Sequence, residues 1–193
     1  MQKFTSIESI QQVDKYVQLT RDPECPEAYK ICTPVAYRGT IKLHGTNAGV
    51  ACSITGLVAQ SRTRALTIED DHEGFAKFVN HEAQTKAIRE IEQVIRCQHG
   101  ISNETPVYLY GEWCGPGIMK GTAINGLPEK QWVLFAARVG EDYIDGLFPF
   151  DDKYADVRIF TVFDVPTWTL EIDFSLQESK QAALIKATEY TEK

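Results

Sequence analysis

Apolar residues recur along this chain in two rhythms, and the switch between them marks out the elements. Between positions 73 and 97, Phe75, Phe78, Val79, Ile88, Ile91, Val94 and Ile95 return at helical spacing, which predicts a long helix with one buried stripe. Asp70 and Asp71 stand just ahead of it as capping residues. That stripe reads as core, not as a cofactor site. A shorter helix is predicted over 5–18, and 23–34 reads as loop. The remaining apolar runs are short and rich in β-branched and aromatic residues. They predict strands over 35–42, 48–54, 57–61, 106–112, 131–139, 143–148, 157–163 and 167–172. Thr55-Gly56 supplies a hairpin turn after the second strand. Ser175-Leu176-Gln177-Glu178 spells a capping box that opens a last helix toward Lys193. No repeat or low-complexity tract interrupts this mixed α and β pattern.

Composition narrows the class. A chain of 193 residues suffices for one compact domain with a real core. Apolar content of 43% and charged content of 24% are those of an ordinary soluble globular protein. There is no apolar run long enough for a membrane helix and no secretory leader at the N-terminus. Cys25, Cys32, Cys52, Cys97 and Cys114 are an odd count without Cys-x-x-Cys spacing. A zinc site or disulfide framework is therefore not expected, and a reducing cytoplasm fits best. The net charge of −7 disfavours nucleic-acid partners, which want lysine and arginine. Its distribution changes the picture: from 28 to 68 there is no aspartate or glutamate, while Lys30, Arg38, Lys42, Arg62 and Arg64 all fall inside. That stretch predicts a local electropositive site.

The same stretch holds Lys42-Leu43-His44-Gly45-Thr46-Asn47, a lysine just past an apolar strand, followed by small turn-forming residues. Such a lysine suits nucleophilic work once burial and neighbouring cations free its lone pair. Gly45 keeps the backbone thin where a phosphate would approach.

The hexapeptide resembles the nucleotidyl-acceptor motif of the covalent nucleotidyltransferases. His44 and Asn47 make it similar to ATP-dependent RNA ligases of the RNA ligase 2 type in particular, since DNA ligases and capping enzymes place aspartate at the histidine. Further matches follow in the family's order. Ser61-Arg62-Thr63-Arg64 falls where the family carries an arginine beside the nucleotide and the RNA end. Tyr110-Gly111-Glu112-Trp113-Cys114-Gly115-Pro116-Gly117 resembles the motif whose glutamate bonds the ribose. Trp132-Val133-Leu134-Phe135-Ala136 resembles the segment whose aromatic residue stacks on adenine, here Phe135, with Trp132 as the alternative. Ile41 stands where the family often has an adenine-reading glutamate, which leaves base selection to backbone groups.

The resemblance implies an α+β nucleotidyltransferase domain, ATP-grasp-like, with antiparallel sheets flanked by helices over 1–193. Lys42, His44 and Asn47 would be catalytic, and Ile41, Lys42, Arg62, Glu112 and Phe135 would hold the nucleotide. ATP and Mg2+ would be the cofactors, with no dedicated metal ligands in the chain. The partners would be RNA, as nicked duplex or ends, and ATP or AMP, with the protein acting as a monomer away from membranes. Nothing after Ile172 resembles the family's last two motifs, so the domain is expected to be incomplete at its C-terminal end and its adenylylation impaired. The rival readings are a non-catalytic nucleotide- or RNA-binding remnant and a DNA ligase or capping-type enzyme.

Overall fold

The computed structural model describes residues 3–4, 9–19, 34–144 and 150–191. They form two compact units: Met1–Phe4 with Lys42–Val165, and Thr5–Ile41 with Pro166–Lys193. The chain returns to the larger unit at Lys42, the first residue of the motif.

The larger unit is built on a sheet of order β3-β2-β4-β5-β6, comprising β2 (Thr46–Ser53), β3 (Gly56–Ser61), β4 (Val107–Cys114), β5 (Gln131–Val139) and β6 (Asp142–Ile144). Neighbours along this path are antiparallel, and β7 (Ile159–Thr161) adds a parallel pairing to β5. Ser53 pairs with Gly56, so the predicted hairpin turns on Ile54-Thr55, one residue earlier than expected.

One face of the sheet is covered by α2 (Phe75–Val79) and α3 (Glu82–His99). The expected single helix is broken because the Asn80 amide donates to the Ala76 carbonyl at 2.8 Å and His81 takes an extended backbone at φ −74°, ψ 137°. Asp71 does cap, its carboxylate accepting from the Ala76 and Lys77 N–H groups at 2.7 and 3.0 Å. Most of the predicted stripe joins Val50, Leu109, Trp113, Trp132 and Leu134 in the core, with Val94 only half-buried. Phe75, Phe78, Trp113 and Trp132 form its aromatic centre, with ring centroids 4.7–6.1 Å apart. Such ring pairs add stabilisation beyond the area they bury.

The smaller unit pairs β1 (Val35–Thr40) with β8 (Thr167–Ile172) along their whole length. The strand predicted over 167–172 therefore forms, paired with β1 and not with the main sheet. Val17 of α1 (Ile10–Leu19), Ile172, Phe174 and Ala183 of α4 (Gln177–Thr191) make its core. The capping box ahead of α4 does not form, because Ser175 donates both its hydroxyl and its N–H to the Asp173 carboxylate. The predicted loop at 23–34 lies outside the described residues except for Pro34, and the predicted strand at 143–148 is described only to Ile144.

Candidate active site

Strand alternation sorts the sheet into two sides. On β4, Val107, Leu109 and Trp113 enter the helical core, so Tyr110 and Glu112 lie on the opposite face. Glu112 sits between Asn47 of β2 and Val133 of β5 in the ladder. Beyond Asn47, Ser61 pairs with Ala48, which places Arg62 one step past the end of β3 in the same row. The hexapeptide loop closes onto this row, since the Gly45 N–H donates to Glu112 Oε1 at 2.8 Å.

The structure thus brings the Lys42 loop, His44, Asn47 and Glu112 together. Burial pushes the Glu112 carboxyl above its ordinary pKa, and the Gly45 N–H and the charges of Lys42 and His44 offset this only in part. Lys42 and His44 are both exposed, so the expected partial burial of the lysine is not met: 41–45 is irregular chain ahead of β2, outside the sheet. Arg62 is also exposed and forms no ion pair among the described residues. Arg64, by contrast, is spent on the loop that follows, donating to the Asp70 carbonyl at 2.9 Å and pairing with its carboxylate. Of the five cations in that stretch, Arg38 belongs to the smaller unit, Arg64 is paired, and Lys30 lies outside the described residues. Ile41, exposed at 38%, is the last residue of the smaller unit's first segment.

Gly45 is glycine for a reason other than phosphate access. A Cβ there would stand 2.4 Å from the Trp113 carbonyl and 2.9 Å from Glu112 Cγ, so the loop packs against β4 with no room for a side chain. Cys114 is no rival nucleophile, because burial and the Glu112 charge push its thiol up to about 12.

Between Tyr110 and Gly111 the β4–β5 ladder carries a bulge: Tyr110 faces Ala136 and Gly111 faces Leu134, which leaves Phe135 without a partner. Bulges of this kind re-aim a side chain. Trp132, fully buried and donating its indole N–H to the Ala48 carbonyl at 3.2 Å, is a core residue, which removes it as the adenine-stacking alternative.

Two neighbours escaped the sequence reading. The Phe4 ring stands edge-on to Phe135 at 4.9 Å and lies 5.5 Å from Tyr110 and 5.4 Å from Tyr143. His72 Nε2 lies 3.0 Å from the Thr46 hydroxyl, tying the motif loop to the segment before α2. Neither contact leaves a local signal, because each joins positions distant in sequence.

The raised carboxyl of Glu112 makes a prediction. The native state holds this proton more tightly than the unfolded chain does. Its stabilisation is complete below the unfolded pKa of about 4.3 and is lost as pH rises through the native value. Glu112→Gln keeps an oxygen for the Gly45 N–H and carries no charge. Its melting temperature should exceed that of the parent chain near neutral pH and match it in acid. A lower melting temperature at neutral pH would contradict the assignment of burial as the dominant influence.

The protein is thus an α+β fold of antiparallel sheets flanked by helices, with the Lys42 motif closed onto a half-buried carboxylate near the end of β4. The RNA ligase family model matches residues 36–179, and the chain belongs to the RNA ligase family. Among solved structures, a Naegleria gruberi RNA ligase with pyrophosphate is similar at 19% identity and a TM-score of 0.48, covering 89% of this chain and 44% of that one. A lysine-to-alanine mutant of the Naegleria gruberi ligase, with ATP and manganese, gives 18% identity and a TM-score of 0.48, with 88% and 44% covered. This chain thus spans less than half the length of those ligase chains. No curated protein matches it. Among the described residues, no helix is long and apolar enough to cross a membrane.

Proposed function

We propose that this chain is the adenylyl-transferring part of an ATP-dependent RNA ligase that joins 5′-phosphate and 3′-hydroxyl RNA ends through AMP held on Lys42. The observation that carries the reading is the bond from Gly45 to Glu112, which gathers the motif loop and the carboxylate at one sheet end. The deprotonated Lys42 amine attacks the ATP α-phosphate; a P–N bond forms, the bond to the bridging oxygen breaks, and pyrophosphate leaves. The 5′-phosphate of an RNA end then takes the adenylyl group, and Lys42 departs as an amine. A 3′-hydroxyl finally displaces AMP and seals the strand.

Glu112 accepts from the ribose hydroxyls in this reading, and its raised pKa leaves it a stronger acceptor when ionised. Arg62, exposed and forming no ion pair among the described residues, is available to phosphate. His44 and Asn47 flank the reacting phosphates. Ile41 leaves adenine's edge to backbone groups. Bound magnesium supplies charge neutralisation on the phosphates. Among the described residues no three or more His, Cys, Asp or Glu side chains gather into a metal cage.

Phe135 stacks on adenine in this reading, and Phe4 now engages that ring, so the nucleotide must displace it. Phe135→Leu should lower AMP affinity by about 1–3 kcal/mol, the range for base–aromatic stacking. Phe4→Ala should raise it. Calorimetric titration of both variants checks this, and a fall in affinity for Phe4→Ala would make Phe4 part of the binding wall instead. The function itself is tested by incubating the protein with α-labelled ATP and magnesium, denaturing it, and mapping retained label by peptide mass spectrometry. Label on any lysine other than Lys42 overturns the reading.

A further inference from the structure

We propose that a groove on the helix-covered side of the main sheet is a second RNA-binding surface, one that takes the ribose–phosphate backbone of the substrate. It rests on the ligase reading above but uses none of the residues assigned there. The groove measures about 570 Å3 and lies wholly within the larger unit, where the ends of α2 and α3 meet the chain entering and leaving the sheet. That volume accommodates a nucleotide unit. Trp113 lines it and follows Glu112 directly on β4. Alternation therefore places the groove on one side of that strand and the candidate active site on the other, one residue apart. A polynucleotide passing over this end of the strand meets both.

The lining sets Lys77, Lys130 and Arg158 against Glu73 and Glu129, a small positive balance in a chain whose net charge is −7. Lys77 and His81 are exposed and make no ion pair among the described residues. Lys130 is paired with Glu73 at 3.2 Å and Arg158 with Glu129 at 3.4 Å. Both pairs are partly solvated, and such pairs are weak enough to be exchanged for phosphate. Arg158 is held over the Phe78 ring at 5.6 Å, which presents its guanidinium along the groove. A polyanion repelled by the chain as a whole is drawn to such a local positive surface.

Gln84 distinguishes this lining from a generic basic patch. It is 5% exposed, its Nε2 donates to the Val157 carbonyl at 3.3 Å, and its Oε1 is buried with no partner. An orphaned acceptor wants a donor. A phosphodiester has none to give, whereas the ribose 2′-hydroxyl has one and is the group by which RNA differs from DNA. Presenting the buried Oε1 requires the amide to turn and give up the Val157 bond, which at 3.3 Å is a long one.

The test uses a fluorescein-labelled nicked RNA duplex and the matching DNA duplex, with anisotropy followed against salt. Lys77→Glu should weaken RNA binding roughly tenfold and flatten the salt dependence. Glu129→Gln frees Arg158 and should strengthen binding several-fold, a gain that misfolding cannot mimic. Gln84→Leu should narrow the preference for RNA over DNA. AMP titration of the same preparations reports the adenylyl site separately and should be unchanged. The inference is overturned if the parent protein does not bind RNA at low salt, or if Lys77→Glu and Glu129→Gln both leave RNA affinity where it was. An unchanged RNA-to-DNA ratio in Gln84→Leu overturns the 2′-hydroxyl contact. A parent protein that binds no AMP while these RNA responses hold sinks the adenylyl reading and leaves the groove standing.

Discussion

Lys42→Arg should abolish the covalent AMP adduct while leaving noncovalent AMP binding nearly intact. Arginine keeps the positive charge beside Glu112 but cannot lose its proton in a protein, so the swap separates nucleophilicity from electrostatics. The adduct itself should be acid-stable and hydroxylamine-sensitive, as a lysine phosphoramidate is. It is sought with magnesium present, because phosphoryl transfer depends on cations around the departing pyrophosphate. Persistence of label in the Lys42→Arg protein would remove Lys42 from the chemistry altogether.

Gly45→Ala should be nearly as damaging, although glycine carries no chemistry. The added methyl would stand 2.4 Å from a backbone oxygen of β4, which cannot swing aside as a flexible side chain could. The loop has to lift, and the bond from Gly45 to Glu112 goes with it. Overpacking of this kind costs about 1–3 kcal/mol of stability. Misplacing a reacting group by roughly an ångström costs about 100-fold in rate. Single-turnover adenylylation and thermal melting of this variant separate the two effects. Wild-type rates in the variant would show that the loop's approach to β4 does not position the lysine.

The elements were legible in the sequence wherever one periodicity held, as over 131–139 and 167–172, whose bounds match β5 and β8. Sheet membership was not. β8 has the composition of any strand, and only its register with β1, from Val35–Ile172 to Thr40–Thr167, reveals a separate ribbon. The long helix failed at Asn80-His81 because apolar spacing continues through the break while the backbone does not. In the site, Lys42, His44, Asn47 and Glu112 were legible as motif residues and do meet. The contacts of Phe4 and His72 were invisible because their partners lie far along the chain.

The bulge at Phe135 means that β5 holds one residue more than its ladder can use. Lift that residue out, and Trp132, Leu134, Ala137 and Val139 alternate without a break, every one still facing the helices. The main sheet therefore treats position 135 as an insertion. Set against a strand without the bulge, β5 needs a one-residue gap there, and an ungapped match would exchange the inner and outer faces on one side of it.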